Sequence, residues 1–112
     1  MKKDCIFCKI TKGESPAEFI YKNDDFIVFR DIKPSAPIHL LIVPIFSDHH
    51  IDSINHLKEE DEKMIGKLFL LANCIAREQG LDKSGYKLLF NVGRGGGQII
   101  DHLHLHLLGG FK

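Results

Sequence analysis

The chain has 112 residues, 44% of them hydrophobic, and its 15 basic side chains balance its 15 acidic ones. That describes one domain over residues 1–112, with no global field to draw in nucleic acid or an anionic membrane, so an anionic ligand has to be held by local geometry. No apolar run approaches the ~20 residues of a membrane span, and the first five residues lack the apolar stretch of a signal peptide, which points to a cytoplasmic protein.

In chain order, residues 4–11, "DCIFCKIT", read as one or two turns of helix with Asp4 as N-cap, broken by Gly13 and Pro16. Cys5 and Cys8 have the spacing of a metal knuckle. They supply two of the four ligands that a structural zinc needs, so histidines have to complete it, with His39, His49, His50 and His56 as candidates outside the C-terminal cluster. A redox pair or a plain structural pair stays open, although nothing before Cys5 can be the strand that a thioredoxin-like unit needs. Residues 18–22 and 26–30 are β-rich and joined by "NDD", a hairpin pattern. "DIKPSAP" is a loop, and residues 38–44, "IHLLIVP", are apolar on both faces, which marks a central strand. Residues 45–57 read as loop or as a short helix around "IDSINHL". From Lys58 to Gln79 apolar residues recur at three- and four-residue spacing, an amphipathic helix with acidic residues in its first turn and Gly80 just past its end. Cys74 lies in that helix and is expected as a small buried residue. Residues 86–92 and 102–108 complete five strands. The fold class is α+β: a five-stranded antiparallel sheet with one long helix and a short N-terminal helix.

The last strand carries His102, His104 and His106 in strict alternation with leucines. Alternate residues share a face about 6.7 Å apart, so the imidazoles point one way and the leucines pack the other. Imidazole serves as nucleophile, proton carrier or metal ligand at neutral pH. The preceding "NVGRGGGQ" is a glycine loop whose successive amides can form an anion nest. It is not a P-loop, because no Gly-Lys-Ser/Thr and no helix follow.

"HLHLHLL" resembles the signature of the histidine triad family of nucleotide hydrolases and transferases. From "CIFCKI" through "FRDIKPSAPIHLLIVP" to "LLGG", nearly the whole chain is similar to its Hint branch, the purine nucleoside phosphoramidases. The resemblance implies a homodimer with adjoining sheets and a purine nucleotide ligand. It makes His104 the nucleophile, His106 its partner at the bridging or leaving atom, and His39 the strand histidine that supports them. Asn91, Gly97 and Gln98 fall at the α-phosphate, Asp31 at the ribose hydroxyls, and Phe7, Ile10, Phe29 and Ile32 around the base. Zinc-bearing relatives imply a ligand set of Cys5, Cys8, His102 and either His49 or His50. His50 is preferred because an apolar residue, Ile51, follows it. A centre closed by four protein ligands is structural, and no carboxylate cluster beside the triad suggests a magnesium requirement.

The sequence departs from the family pattern at Ile99, where many relatives carry a small polar residue, so this position can offer a phosphate only its backbone N–H. Arg94 adds a charge to the loop. The implied reaction is a double displacement at the α-phosphorus through a nucleotidyl-histidine, with phosphoramidates as substrates. A dinucleoside polyphosphate hydrolase of the same family is the alternative; Leu108, where those enzymes end the motif with glutamine, speaks against it. A nucleotide-binding regulatory protein with incidental hydrolysis, or a zinc-binding structural module, are readings from other classes.

Overall fold

The computed structural model describes residues 5–47 and 49–111. Helix α1 (Ile6–Thr11) is followed by strands β1 (Phe19–Lys22), β2 (Phe26–Arg30) and β3 (Ile38–Pro44). Helix α2 (Glu62–Glu78) then leads to β4 (Tyr86–Leu89) and β5 (Leu105–Gly109). The five strands make one antiparallel sheet in the order β1-β2-β3-β5-β4, which puts the doubly apolar β3 at its centre, as its composition requires. Among the described residues no helix is long and apolar enough to cross a membrane.

The two helices pack on opposite faces of the sheet. Leu68, Ala72, Ile75 and Ala76 of α2 pack on Val28, Leu40, Ile42, Leu105 and Leu107. On the other face Phe7, Cys8 and Ile10 of α1 pack on Ile27, Phe29, Leu41 and Val43. The alternation of side chains along each strand assigns these residues to their layers. Helix α2 ends as Gly80 suggested: with φ +74° this glycine lets its own N–H reach Arg77 O at 3.0 Å and the Leu81 N–H reach Ala76 O at 2.9 Å.

Several local expectations need correction. Asp4 lies outside the described residues, and the N-cap of α1 is Cys5, whose Sγ accepts from the Cys8 N–H at 3.3 Å. Cys74 is exposed: the buried stripe of α2 runs through Ala72 and Ile75–Ala76, and a residue two beyond Ala72 is turned about 200° around the helix. The segment 45–57, open between loop and short helix, carries among its described residues a 3-10 turn, Ile54–His56, within "IDSINHL", and a second one, Glu59–Asp61, precedes α2. The histidine strand starts at Leu105, not at residue 102. Before that point the Leu103 N–H pairs with Ile51 O at 2.8 Å, and the His102 carbonyl accepts from the ring of His104, so the chain leaves the β3 ladder.

Candidate active site

Register brings the reactive side chains together. Phe29 pairs with Leu41 across β2 and β3, and Leu41 with His106 across β3 and β5, so the three form one row on the face that α1 partly covers. A cleft of about 570 Å³ opens there, lined by apolar residues of α1, β2 and β3, by Asp31 and Ile32, by Asn91 and Gly97, and by His39, His104 and His106. Every expected nucleotide-contacting residue except Gln98 borders it. Phe7, Ile10 and Phe29 are buried in its wall, whereas Ile32 (89% exposed) and Ile99 (82% exposed) stand at its rim.

The ring hydrogen bonds determine what each histidine presents. His104 Nδ1 is 2.7 Å from the His102 carbonyl, an acceptor, so Nδ1 carries the proton and Nε2 holds a lone pair. Burial pushes the His104 pKa below its ordinary value, which keeps the ring neutral. Phe7 stands edge-on to it with centroids 5.0 Å apart. His106 has the opposite tautomer. The Ser35 N–H donates to His39 Nδ1 at 3.0 Å, so the proton of His39 sits on Nε2 and is donated to His106 Nδ1 at 2.9 Å. The proton of His106 is therefore on Nε2, a buried atom with no hydrogen-bond partner among the described residues. Burial, reinforced by His104 and His39, pushes the His106 pKa down to about 4. The two triad rings, 4.9 Å apart, thus offer a lone pair and an N–H donor side by side.

Asp31, His39 and His106 have donor atoms close enough to suggest a second metal site. The Ser35 N–H argues against one: a cation on His39 Nε2 would move the proton to Nδ1, where donor would face donor. Asp31 instead shapes its turn, accepting from the Lys33 N–H at 2.9 Å with Oδ1 while Oδ2 lies 3.4 Å from His39 Nε2.

The glycine loop differs from the expected nest. Gly93 and Gly97 have φ of +68° and +84°, conformations that favour glycine. The N–H groups of Gly96, Gly97 and Gln98 turn inward onto the carbonyls of Gly93 and Arg94. Gln98, 3% exposed, spends its side chain on the protein: Nε2 donates to Asp52 O at 2.6 Å and Ile100 O at 2.9 Å, and Oε1 accepts from the Gly93 N–H at 2.9 Å. It braces the loop and is turned away from the cleft. Arg94 is likewise tied to Gln98 O and to Asp101. Asn91 holds Gly96 O at 2.8 Å.

Behind the histidines, Cys5, Cys8, His50 and His102 have donor atoms all within 4.8 Å of one another. His102 Nε2 donates to Pro44 O at 2.8 Å, which turns the Nδ1 lone pair toward Cys5 Sγ at 3.2 Å and Cys8 Sγ at 3.5 Å. His50 Nδ1 donates to Asp52 Oδ1 at 2.9 Å and so keeps its lone pair on Nε2. Ligand atoms around a tetrahedral zinc sit roughly 3.3–3.8 Å apart, so the donor set and its spacing fit that ion. Burial, reinforced by the Cys5 thiol, pushes the Cys8 thiol up to about 11, the direction a bound dication reverses. His49, by contrast, lies at the surface 3.7 Å from Asp61. Sequence reasoning missed Ser35, Asp52 and Phe46, whose ring packs on His102 at 4.7 Å. Only the His-Ile-Asp spacing of His50 and Asp52 hinted at any of them.

The family model described as "Scavenger mRNA decapping enzyme C-term binding" matches residues 4–111. The chain is 43% identical over 106 residues to Protein HitA of Neisseria gonorrhoeae, covering 95% of each chain. It is 40% identical over 110 residues to the purine nucleoside phosphoramidase of Escherichia coli K12, covering 98% of this chain and 90% of that one. Its structure resembles a HIT family hydrolase from Legionella pneumophila Philadelphia 1 (TM-score 0.91, 44% identity, 97% and 95% of the two chains). A histidine triad protein from Clostridium difficile is equally similar in shape (TM-score 0.92, 38% identity, 100% and 95%).

Proposed function

The chain belongs to the histidine triad family and is a nucleotide hydrolase, and we propose that it cleaves purine nucleoside phosphoramidates through a nucleotidyl-histidine. The observation that carries this reading is the pair of opposed tautomers at His104 and His106. The purine lies against Phe7, Ile10, Phe29 and Ile32, and Asp31 receives the ribose hydroxyls. Asn91 and the Ile99 N–H face the α-phosphate, and Gly97, at φ +84°, lets the loop bend beside it.

His104 Nε2 attacks the α-phosphorus, and the P–N bond to the amine breaks. The amine leaves with the proton it already carries as the substrate's ammonium. His106 is too weakly basic to be an imidazolium at neutral pH, so it donates a hydrogen bond from Nε2 to the lone pair that develops on the departing nitrogen, a preorganised contribution. Water then forms the P–O bond, the P–N bond to His104 breaks, its electron pair returns to Nε2, and one proton passes to solvent. Turnover of an adenosine phosphoramidate against diadenosine tetraphosphate tests the substrate class; preference for the tetraphosphate overturns it.

Two further results are expected. The acid limb of kcat/KM reports the free enzyme, and burial lowers both catalytic imidazoles, so activity holds as pH falls through 6.5, the ordinary imidazole value, and declines only below it. A pH-rate profile with its acid midpoint at or above 6.5 contradicts this assignment. Replacing His39 by alanine removes the donor that fixes the His106 tautomer, which lowers kcat by about 10²-fold, with partial recovery in His39→Gln.

Cys5, Cys8, His50 and His102 would hold a zinc ion that ties α1 to the catalytic segment, and a set of four protein ligands would suit a structural rather than a substrate-binding role. A homodimer through β4 is part of the same reading. This strand lies at the edge of the sheet with Leu88 and Leu89 exposed, and Phe69 of α2 meets Phe90 beside it at 6.3 Å. Sedimentation should give twice the mass of one chain.

A further inference from the structure

We infer that the cysteine–histidine centre and the nucleotide cleft are thermodynamically linked through His102 and Gln98, so that filling either one raises the affinity of the other. This rests on reading the centre as a zinc site and the cleft as a nucleotide site.

Three connections join the two places. His102 presents its ring to the thiols while its own carbonyl, 2.7 Å from His104 Nδ1, sets the tautomer of the nucleophile. Phe7, between the two cysteines in sequence, stands edge-on to His102 at 5.8 Å and to His104 at 5.0 Å, and forms part of the cleft wall. The third connection runs through Asp52. Its carboxylate holds the His50 ring at 2.9 Å, and its carbonyl accepts from Gln98 Nε2 at 2.6 Å. The other end of the Gln98 amide fastens the Gly93 N–H at the start of the glycine loop. Phe7 and His104 on one side of the cleft, and the base of the glycine loop on the other, are therefore each anchored to a residue that is, or orients, a ligand of the centre. A cation that orders His102, Phe7 and Asp52 has already restrained what a nucleotide must restrain, and binding linkage is reciprocal. Gln98 is accordingly a positioning residue, acting through the loop it braces.

The test uses the full chain with Zn²⁺ and AMP as probes. AMP affinity is measured by calorimetry on zinc-loaded and stripped chain. Zinc affinity is measured by competition with a chromophoric chelator, with and without saturating AMP. Both ratios are expected to be equal and about 5- to 50-fold, within the usual range for coupled sites. Gln98→Met keeps the volume and drops three hydrogen bonds; it should bring the AMP-dependent change in zinc affinity below about threefold. If stripping unfolds the chain, AMP raises zinc affinity through folding alone, and that effect persists in Gln98→Met. Persistence there overturns the linkage, as does a ratio of one in the wild-type chain. A chain that takes up no zinc at micromolar concentration overturns the zinc reading, and the linkage with it. One that takes up zinc but binds no AMP overturns the nucleotide reading.

Discussion

Replacing His104 by alanine is expected to lower kcat for an adenosine phosphoramidate by about 10³-fold or more, while AMP binding changes only a few-fold. The asymmetry follows from position. In the proposed mechanism the Nε2 lone pair of His104, left free by the Nδ1 bond to the His102 carbonyl, attacks the phosphorus, and its loss removes the covalent route altogether. On the proposed reading binding rests mainly on the apolar wall, Asp31 and the glycine loop, and of these His104 touches only Phe7, whose other ring contacts, to Phe29 and His102, remain in the variant. His106 cannot take over the attack, because its proton sits on the nitrogen that faces the cleft. Rapid-quench mass spectrometry of the wild-type chain should show a nucleotidyl adduct on the peptide containing His104, absent from His104→Ala. Retained turnover in the variant, or inversion of configuration at phosphorus in the wild type, means that water attacks directly.

The second large effect concerns stability. Stripping zinc from the Cys5, Cys8, His50 and His102 centre should lower the melting temperature by about 15–30 °C. A ligand present at a thousandfold its Kd stabilises by about 4.1 kcal/mol, and each kcal/mol moves the midpoint of a domain near this size by roughly 4–8 °C. Cys8→Ser should produce a similar fall without chelator. The pH dependence has a definite sign. In the metal-free chain the Cys8 thiol is held up to about 11 by burial, so it is protonated at neutral pH and must release its proton to bind. Zinc affinity therefore rises with pH, up to tenfold per unit for each proton released. Thermal melts with and without chelator, and a zinc titration at several pH values, check both statements. Loss of turnover with an unchanged melting temperature would show that the metal is catalytic rather than structural.

Much of this molecule could be read along the chain. The apolar faces of β3 and α2, the turn at residues 23–25 and the helix end at Gly80 are local patterns, each enforced by neighbours within a few residues. In that turn, Asn23 Oδ1 accepts from the Asp25 and Phe26 N–H groups at 2.8 and 2.7 Å. The opposite facing of His106 and its neighbours Leu105 and Leu107 also followed from the two-residue alternation of a strand, whereas His102 and His104 precede the strand. The expected burial of Cys74 failed at the same level, because the phase of the α2 stripe, set by what packs on it, leaves that position facing water.

What the amino-acid order determined by itself was the alternation along each strand, with His106 on one face and Leu105 and Leu107 on the other, and a thiol pair at the first turn of helix. Their protonation and partners were decided only when the chain closed. The tautomer of His106 depends on His39, 67 residues away, and on the Ser35 N–H. The family pattern already favoured His50 over His49, but the approach of His50 to the thiols of Cys5 and Cys8 needs the fold to close more than 40 residues of chain. Gln98, a plausible phosphate ligand from its place beside the glycine loop, is turned by Asp52, 46 residues before it, into a brace. Periodicity orients a side chain to within a face. A hydrogen bond needs a partner within about 3 Å at the right angle, and for these groups that partner is supplied by another element of the fold.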